Sequence, residues 1–119
     1  MRINEHTISG AIFRLSVMDC GSIYFNLDMG PFSATAHDQD QELINLDNLI
    51  EAMVMDKADG PMPEFMGFKF RISSGNLMLF SGHGMAWLPY TEGDVAILMD
   101  IRRDWETERG RVKSQMEVA

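Results

Sequence analysis

The sequence predicts a single α+β domain, in which a mostly antiparallel sheet of about five strands carries one main helix on one face. Three observations lead to this fold class. Apolar and polar residues alternate in several short runs, which is the period of a half-buried strand. One central segment changes to helical spacing. The length of 119 residues suits one compact domain.

The chain opens with a predicted hairpin. Residues 7–18 and 23–27 both alternate apolar with polar side chains. The Asp19-Cys20-Gly21-Ser22 segment between them predicts a turn. Gly30-Pro31 predicts a bulge or bend, because proline cannot donate to a ladder inside a sheet. The second strand can therefore continue past this bend as far as Ala36.

Residues 47–58 are predicted to form the main helix, because apolar residues recur there every three or four positions. Asp47 or Asn48 supplies the N-cap, and Glu51 stands where a capping box places its acid. Gly60-Pro61 predicts the end of the helix, since glycine and proline commonly follow a helix C-terminus.

A second hairpin is predicted from residues 68–72 and 77–80, which flank a Ser-Ser-Gly-Asn turn. The apolar segment 85–90 follows and includes Trp87 and Tyr90. Tryptophan and tyrosine are enriched among interface anchors, so this segment is a candidate contact surface. The same residues could equally cover the open end of the sheet.

Residues 94–105 fit both a strand and a helix, because their apolar residues alternate and also share a helical face. The high β-branched content and the turn-like residues 91–94 favour a strand over residues 95–101. Residues 102–119 are then predicted to be a charged terminal helix or a tail.

Composition restricts the class of partner. The net charge of −8 and the pI near 4.7 argue against direct nucleic-acid binding, which needs clustered Lys and Arg. The single cysteine, Cys20, favours a reducing compartment, and we expect a cytoplasmic protein without a signal peptide or membrane-spanning segment. A protein partner with a basic surface fits this charge best.

No residue pattern predicts catalysis, a metal site or a cofactor. The three histidines have no histidine or cysteine partner at a metal-ligand spacing. The run from Asp38 to Glu42 resembles the start of a calcium loop, but Leu43 and Leu49 occupy the positions of the required glycine and glutamate. Ser81-Gly82-His83-Gly84 is more typical of a turn than of a nucleophilic site, since nearness in sequence supplies no oriented base.

The acids of the chain are concentrated in one region. Nine acids against one base, Lys57, lie between Asp28 and Glu64, and this local net charge equals that of the whole protein. The acids could serve solubility alone. Their concentration instead favours a surface that binds a basic partner. The residues predicted to contact a partner are Asp38, Asp40, Glu42, Asp47, Glu51, Asp56, Asp59, Trp87 and Tyr90.

The leading hypothesis is a small acidic, non-enzymatic binding protein that inhibits or neutralises a protein partner by occupying its basic nucleic-acid-binding surface. A phage anti-defence inhibitor such as an anti-CRISPR protein, or an immunity protein against a nuclease toxin, would act in this way. The alternative is a structural or homo-oligomerising subunit that uses an apolar Trp, Tyr and Met surface. A third hypothesis is a small hydrolase-type enzyme built around His83.

Overall fold

The computed structural model describes residues 2–30, 32–56, 63–82 and 84–118, and their side chains as far as residue 113. The α+β class is confirmed. The elements in chain order are β1 (Arg2–Ile8), β2 (Ala11–Val17), β3 (Ile23–Asp28), β4 (Ser33–His37), α1 (Asp40–Met55), β5 (Glu64–Phe65), β6 (Phe68–Ser73), β7 (Asn76–Ser81), β8 (Gly84–Pro89) and α2 (Glu92–Val118). A run of four strands followed by a helix thus occurs twice.

The strands form two antiparallel four-stranded sheets, ordered β1-β2-β3-β4 and β5-β6-β7-β8, where the sequence predicts one sheet of about five strands. Tight turns account for much of the difference. Ser9-Gly10 divides the predicted strand 7–18 into a hairpin, and both turn residues have positive φ, at 49° and 88°. Met66 and Gly67, between β5 and β6, also have positive φ, at 55° and 83°. Positive φ at two successive residues defines the type I′ turn that joins hairpin strands.

The chain reverses direction between β3 and β4, where the sequence predicts a bulge or bend. Gly30 has a φ of 84°, which glycine adopts without steric cost, and the Met29 N–H donates to the Phe32 carbonyl over 2.8 Å. The strand that follows, β4, pairs antiparallel with β3 instead of continuing it. Pro31 itself lies outside the described residues.

Helix α1 begins two turns earlier than predicted. Leu43 is buried in the first turns, so the apolar face extends upstream of residue 47. Gln39 is the N-cap and makes no side-chain capping bond, which makes the prediction of Asp47 or Asn48 as the cap wrong. The helix ends at Met55, and Gly60-Pro61 lies outside the described residues.

The prediction of a strand over residues 95–101 is wrong, because this segment belongs to α2. Its buried residues, Val95, Leu98, Ile101 and Trp105, follow helical spacing, whereas the alternating Ile97 and Met99 are exposed. The turn-like residues 91–94 form a capping box. Thr91 N donates to Asp94 Oδ2 over 2.9 Å, and Asp94 N donates to Thr91 Oγ1 over 3.2 Å.

Buried residues of both sheets and both helices form one hydrophobic core. Helix α2 packs across β1, β2 and β3, and its Trp105, only 1% exposed, stacks on Phe25 of β3 with ring centroids 5.3 Å apart. The ring centroid of Phe65 in β5 lies 6.4 Å from that of Phe13 and 6.0 Å from that of Phe25. Aromatic contacts therefore connect the second sheet to the first. In the described part of the chain, no helix is both long and apolar enough to cross a membrane.

Candidate functional site

Asp38, the first of the predicted partner-binding acids, connects β4 to α2. Its Oδ1 accepts a hydrogen bond of 2.8 Å from the indole N–H of Trp105. Its carboxylate also pairs with Arg109, at 2.9 Å from the arginine Nε. Since Trp105 is buried, this carboxylate satisfies an N–H that would otherwise lose its hydrogen bond to water. Asp38 thus contributes to the attachment of α2.

Two more predicted acids pair with arginines of α2. Arg109 donates to Asp40 over 2.6 Å, and Arg102 donates to both oxygens of Asp47, over 2.8 and 3.1 Å. These hydrogen bonds raise the pKa of both guanidinium groups above the ordinary value of arginine. The fork-like contact of Arg102 fixes the geometry as well as the charge. We call these contacts the helix seam, which comprises Asp38, Asp40, Asp47, Arg102, Trp105 and Arg109.

Asp56 and Tyr90 bind each other. Asp56 is the left-handed C-cap of α1, and its Oδ1 accepts from the Tyr90 hydroxyl over 2.9 Å and from the Gly75 N–H over 2.7 Å. The Tyr90 hydroxyl also lies 3.1 Å from the Met53 carbonyl. Burial raises the pKa of Tyr90, and the Asp56 carboxylate raises it further. This cluster joins the end of α1 to the β6–β7 turn and to the end of β8.

The remaining predicted acids have different surroundings. Glu51 is exposed on α1 and has no ion pair or hydrogen bond within the described residues. Glu42 is half-buried, and its Oε2 is inaccessible to water and has no partner in the described part of the chain. Asp59 lies outside the described residues. Among the described acids of this set, Glu51 is thus the exposed one that has no partner within the described residues.

A second polar seam joins β1 to α2. Arg2, Asn4 and His6, at alternate positions of β1, each contact an acid of α2. Arg2 pairs with Glu108, and Asn4 donates to Asp104. His6 Nε2 lies 2.9 Å from Asp94 Oδ1. Burial opposes the charged form of Asp94, but hydrogen bonds from His6 and Thr91 outweigh it and lower the pKa of this carboxyl.

The outer face of the second sheet differs from these seams. The pairing register sets Arg71, Met78 and Trp87 in one row across β6, β7 and β8, and Lys69, Phe80 and Met85 in the next. The opposite face of the same strands lies in the core. We call this surface the second-sheet face, which comprises Lys69, Arg71, Met78, Phe80, Met85 and Trp87.

Trp87 is the most exposed large hydrophobic residue of this face, at 54%, and Met85 is exposed at 47%. The indole of Trp87 is nevertheless held in place, because its N–H donates to Asn76 Oδ1 over 2.9 Å. Asn76 in turn donates to the carbonyls of Ser73 and Ser74, each over 3.2 Å. A fixed aromatic side chain loses little conformational entropy when a partner covers it.

The predicted pair Trp87 and Tyr90 thus divides between two places. Trp87 lies on the second-sheet face, whereas Tyr90 bonds to α1 and lines a groove of about 480 Å³ between the two helices. The groove walls include Val54, Val95 and Met99. Two of its polar groups, the Tyr90 hydroxyl and the Asp56 carboxylate, already bond to each other.

Sequence reasoning missed Lys69 and Arg71 as members of a contact surface. Both are exposed, and neither forms an ion pair within the described residues. The signal was present in the alternation of β6, in which Phe68, Phe70 and Ile72 are buried and the two cations face outward.

Groups suited to chemistry are sparse in the described part of the chain. No cluster of three or more His, Cys, Asp or Glu residues could hold a metal ion there. His83, the centre of the enzyme hypothesis, lies outside the described residues. Cys20 is exposed, and its thiol lies 3.3 Å from the Ser22 hydroxyl, which lowers the pKa of the thiol.

The chain matches no protein-family model, no curated protein and no solved structure. The contacts and charges of the described residues are therefore the basis of the functional proposal.

Proposed function

We propose that this chain is a small non-enzymatic binding protein whose contact surface is the second-sheet face. The observation that carries the proposal is Trp87, which is 54% exposed and yet fixed by its bond to Asn76. Interface hot spots are enriched in tryptophan and arginine. Arg71 lies in the same cross-sheet row as Trp87, so both residue types occur on this face.

The neighbours of Trp87 support the same surface. Met85 is exposed beside it on β8, and Met78 and Phe80 of β7 are half-buried. Methionine adapts its shape to a partner, because its side chain is unbranched and polarisable. A fixed tryptophan among adaptable side chains suits a surface that covers apolar groups of another protein.

The test compares two exposed apolar residues in strands of different sheets. Trp87→Thr changes the proposed surface, and Ile3→Thr changes the outer face of the first sheet, where Ile3 is 50% exposed. Each variant is immobilised beside the wild type and incubated with extract of the source cells. We expect one set of proteins to bind wild type and Ile3→Thr but not Trp87→Thr. Equal retention by all three would contradict the proposal.

A second candidate function keeps the acidic surface as the contact, in an inhibitor that occupies a basic nucleic-acid-binding site on its partner. Its support is the net charge of −8 together with the accessibility of the acids, since Asp40 is 84% exposed although it is paired. A long-range negative potential steers a basic partner even where individual carboxylates are neutralised locally.

The two candidates respond differently to charge reversal. Glu51→Lys alters the α1 surface without breaking an ion pair of the described residues. Asp100→Lys makes an equal charge change on α2, where the pair that it breaks, with Arg103, is exposed to solvent at both side chains and contributes little to stability. The acidic mechanism predicts that Glu51→Lys weakens partner binding several-fold more than Asp100→Lys, and that added salt removes the difference. Reversal of Asp38 or Asp47 is unsuitable, because it would place two cations together in the helix seam.

A further inference from the structure

We propose that the second-sheet face binds an extended acidic protein segment that carries a large apolar side chain. The inference rests on the proposed function and names the chemistry of the partner. It differs from the expectation drawn from the net charge, which points to a basic partner.

The charges of the face carry this inference. The arginines of the described residues outside this face all pair with an acid: Arg2, Arg14, Arg102, Arg103, Arg109 and Arg111. Arg71 and Lys69 are exposed and have no ion pair in the described part of the chain. In a protein with a net charge of −8, two adjacent cations without acids are available to carboxylates of a partner.

The spacing of the face suits an extended segment. Lys69 and Arg71 lie two residues apart on one face of β6, which sets them about 7 Å apart along the strand. Trp87 lies two strands away from Arg71 in the same row, at about 10 Å. About three residues of extended chain span this distance, so a segment that crosses the sheet along this row can place a carboxylate on Arg71 and an apolar side chain against Trp87.

One acid belongs to the same outer surface. Glu64 of β5 is opposite Lys69 in the pairing register and is exposed, although no ion pair forms between them. Glu64 reduces the positive potential near Lys69 and leaves Arg71 as the cation farther from it. We therefore expect Arg71 to contribute more than Lys69 to recognition of a carboxylate.

Nucleic acid and a second copy of the chain fit the face less well. A phosphate backbone repeats its charge along its whole length, so it would extend beyond two cations onto a protein of net charge −8. A symmetric dimer through this face would set the same cations against the same surface, since a two-fold interface uses one patch twice. An acidic segment confines its charge to the place where the cations lie.

The test uses a library of short random peptides displayed on phage. The library is first depleted of phage that bind immobilised Trp87→Thr, and the remaining phage are selected on immobilised wild-type protein at low salt. Selected peptides are synthesised, and their affinities are measured by fluorescence anisotropy. We expect peptides with net negative charge and at least one large apolar residue. The Trp87→Thr substitution should lower the affinity of these peptides about 30-fold, the loss typical of an interface hot spot.

Arg71→Gln is the second variant, because the Arg71 side chain contacts no acid in the described residues whose loss could affect folding. It should weaken the selected peptides about 5- to 10-fold at low salt, and the difference should shrink as salt rises. Arg103→Gln is the matched control, since Arg103 is an exposed arginine of α2 that pairs with Asp100. It should leave the affinity unchanged.

The possible failures are distinguishable. Peptides that depend on Trp87 but are neutral or basic would overturn the acidic-segment inference and leave the proposed function in place. If the selection yields no peptide that distinguishes wild type from Trp87→Thr, both the acidic-segment inference and the proposed function are overturned. Binding of a labelled oligothymidylate that is lost in Arg71→Gln, or self-association lost in Trp87→Thr, would overturn the acidic segment in favour of nucleic acid or a second copy.

Discussion

The helix seam and the second-sheet face use similar residue types in opposite ways. In the helix seam, Trp105 is buried, and its N–H and the neighbouring arginines bond to acids of the same chain. On the second-sheet face, Trp87 is exposed, and Arg71 has no acid partner in the described residues. Paired charges thus attach α2 to the rest of the fold, whereas unpaired charges remain available to another molecule.

The acids between Asp28 and Glu64 also have roles within the fold. The seam carboxylates Asp38, Asp40 and Asp47 each bond to α2, so the concentration of acids along the chain partly reflects intramolecular attachment. The first turn of α1 contains Asp40 and Glu42, and acids are favourable there because they interact with the positive end of the helix dipole. A charge count along the sequence does not separate these roles from partner binding.

The largest expected effect is at the centre of the helix seam. Trp105→Ala removes a ring that is 1% exposed and stacked on Phe25, and it should lower the free energy of unfolding by about 3–5 kcal/mol. Urea unfolding monitored by circular dichroism measures the change. A loss under about 1 kcal/mol would show that α2 is not held by this contact.

The second effect separates two acids that the sequence treats alike. Asp38→Ala leaves the buried Trp105 N–H without its acceptor and should cost about 1–3 kcal/mol of unfolding free energy. Glu51→Ala, at an exposed position, should change it by less than about 0.5 kcal/mol. Equal losses in the two variants, in the same urea titration, would contradict the distinction between seam and free acids.

The third effect depends on pH. Because the pKa of Asp94 is lowered from 3.8 in the folded protein, its charged form stabilises the fold above that pH, and the contribution is lost as pH falls through the lower native pKa. Asp94→Ala should cost about 1 kcal/mol at neutral pH, as loss of a helix cap does, and progressively less in acid.

Thermal unfolding of wild type and Asp94→Ala between neutral pH and pH values below 3.8 measures this difference. Asp100→Ala, at an exposed acid of the same helix, serves as the control. If the stability difference of Asp94→Ala were independent of pH, the ionised carboxylate would not be the stabilising group.

The smallest effect is on the second-sheet face. Arg71→Gln should change the free energy of unfolding by less than about 0.5 kcal/mol, because its side chain forms no ion pair with a described residue. Arg109→Gln, which breaks contacts to Asp38 and Asp40, should cost more, about 1 kcal/mol. Comparable losses would mean that Arg71 serves the fold and would weaken its assignment to binding.

Local patterns predicted the second hairpin well. The alternation of β6 and β7 and the Ser-Ser-Gly-Asn turn between them are as the sequence indicates, with Ser74 and Gly75 at positive φ. The pattern was less informative at Ser9-Gly10, because its apolar flanks allow one long strand as well as a hairpin. The apolar pattern gave a wrong prediction over residues 95–101, because the apolar residues there fit both strand alternation and helical spacing. Burial in the folded protein follows the helical spacing.

The candidate site was predicted in part. Trp87 was identified from residue type alone, but its exposure and its bond to Asn76 depend on the register of β7 and β8. The partners of the acids were beyond reach of the sequence. Asp47 and Arg102 lie 55 residues apart, and Asp38 and Arg109 lie 71 apart, so no local spacing connects them.

The α+β class, the total charge and the inward and outward sides of the identified strands could all be read from the sequence. These properties follow from composition and from short-range periodicity, which act between neighbouring residues. The tertiary structure was needed to show that residues 95–101 are helical, which acids bond to α2, and that Lys69 and Arg71 share a face with Trp87. The reason is physical, since burial and ion pairing depend on distances in space, which packing sets between segments far apart in the chain.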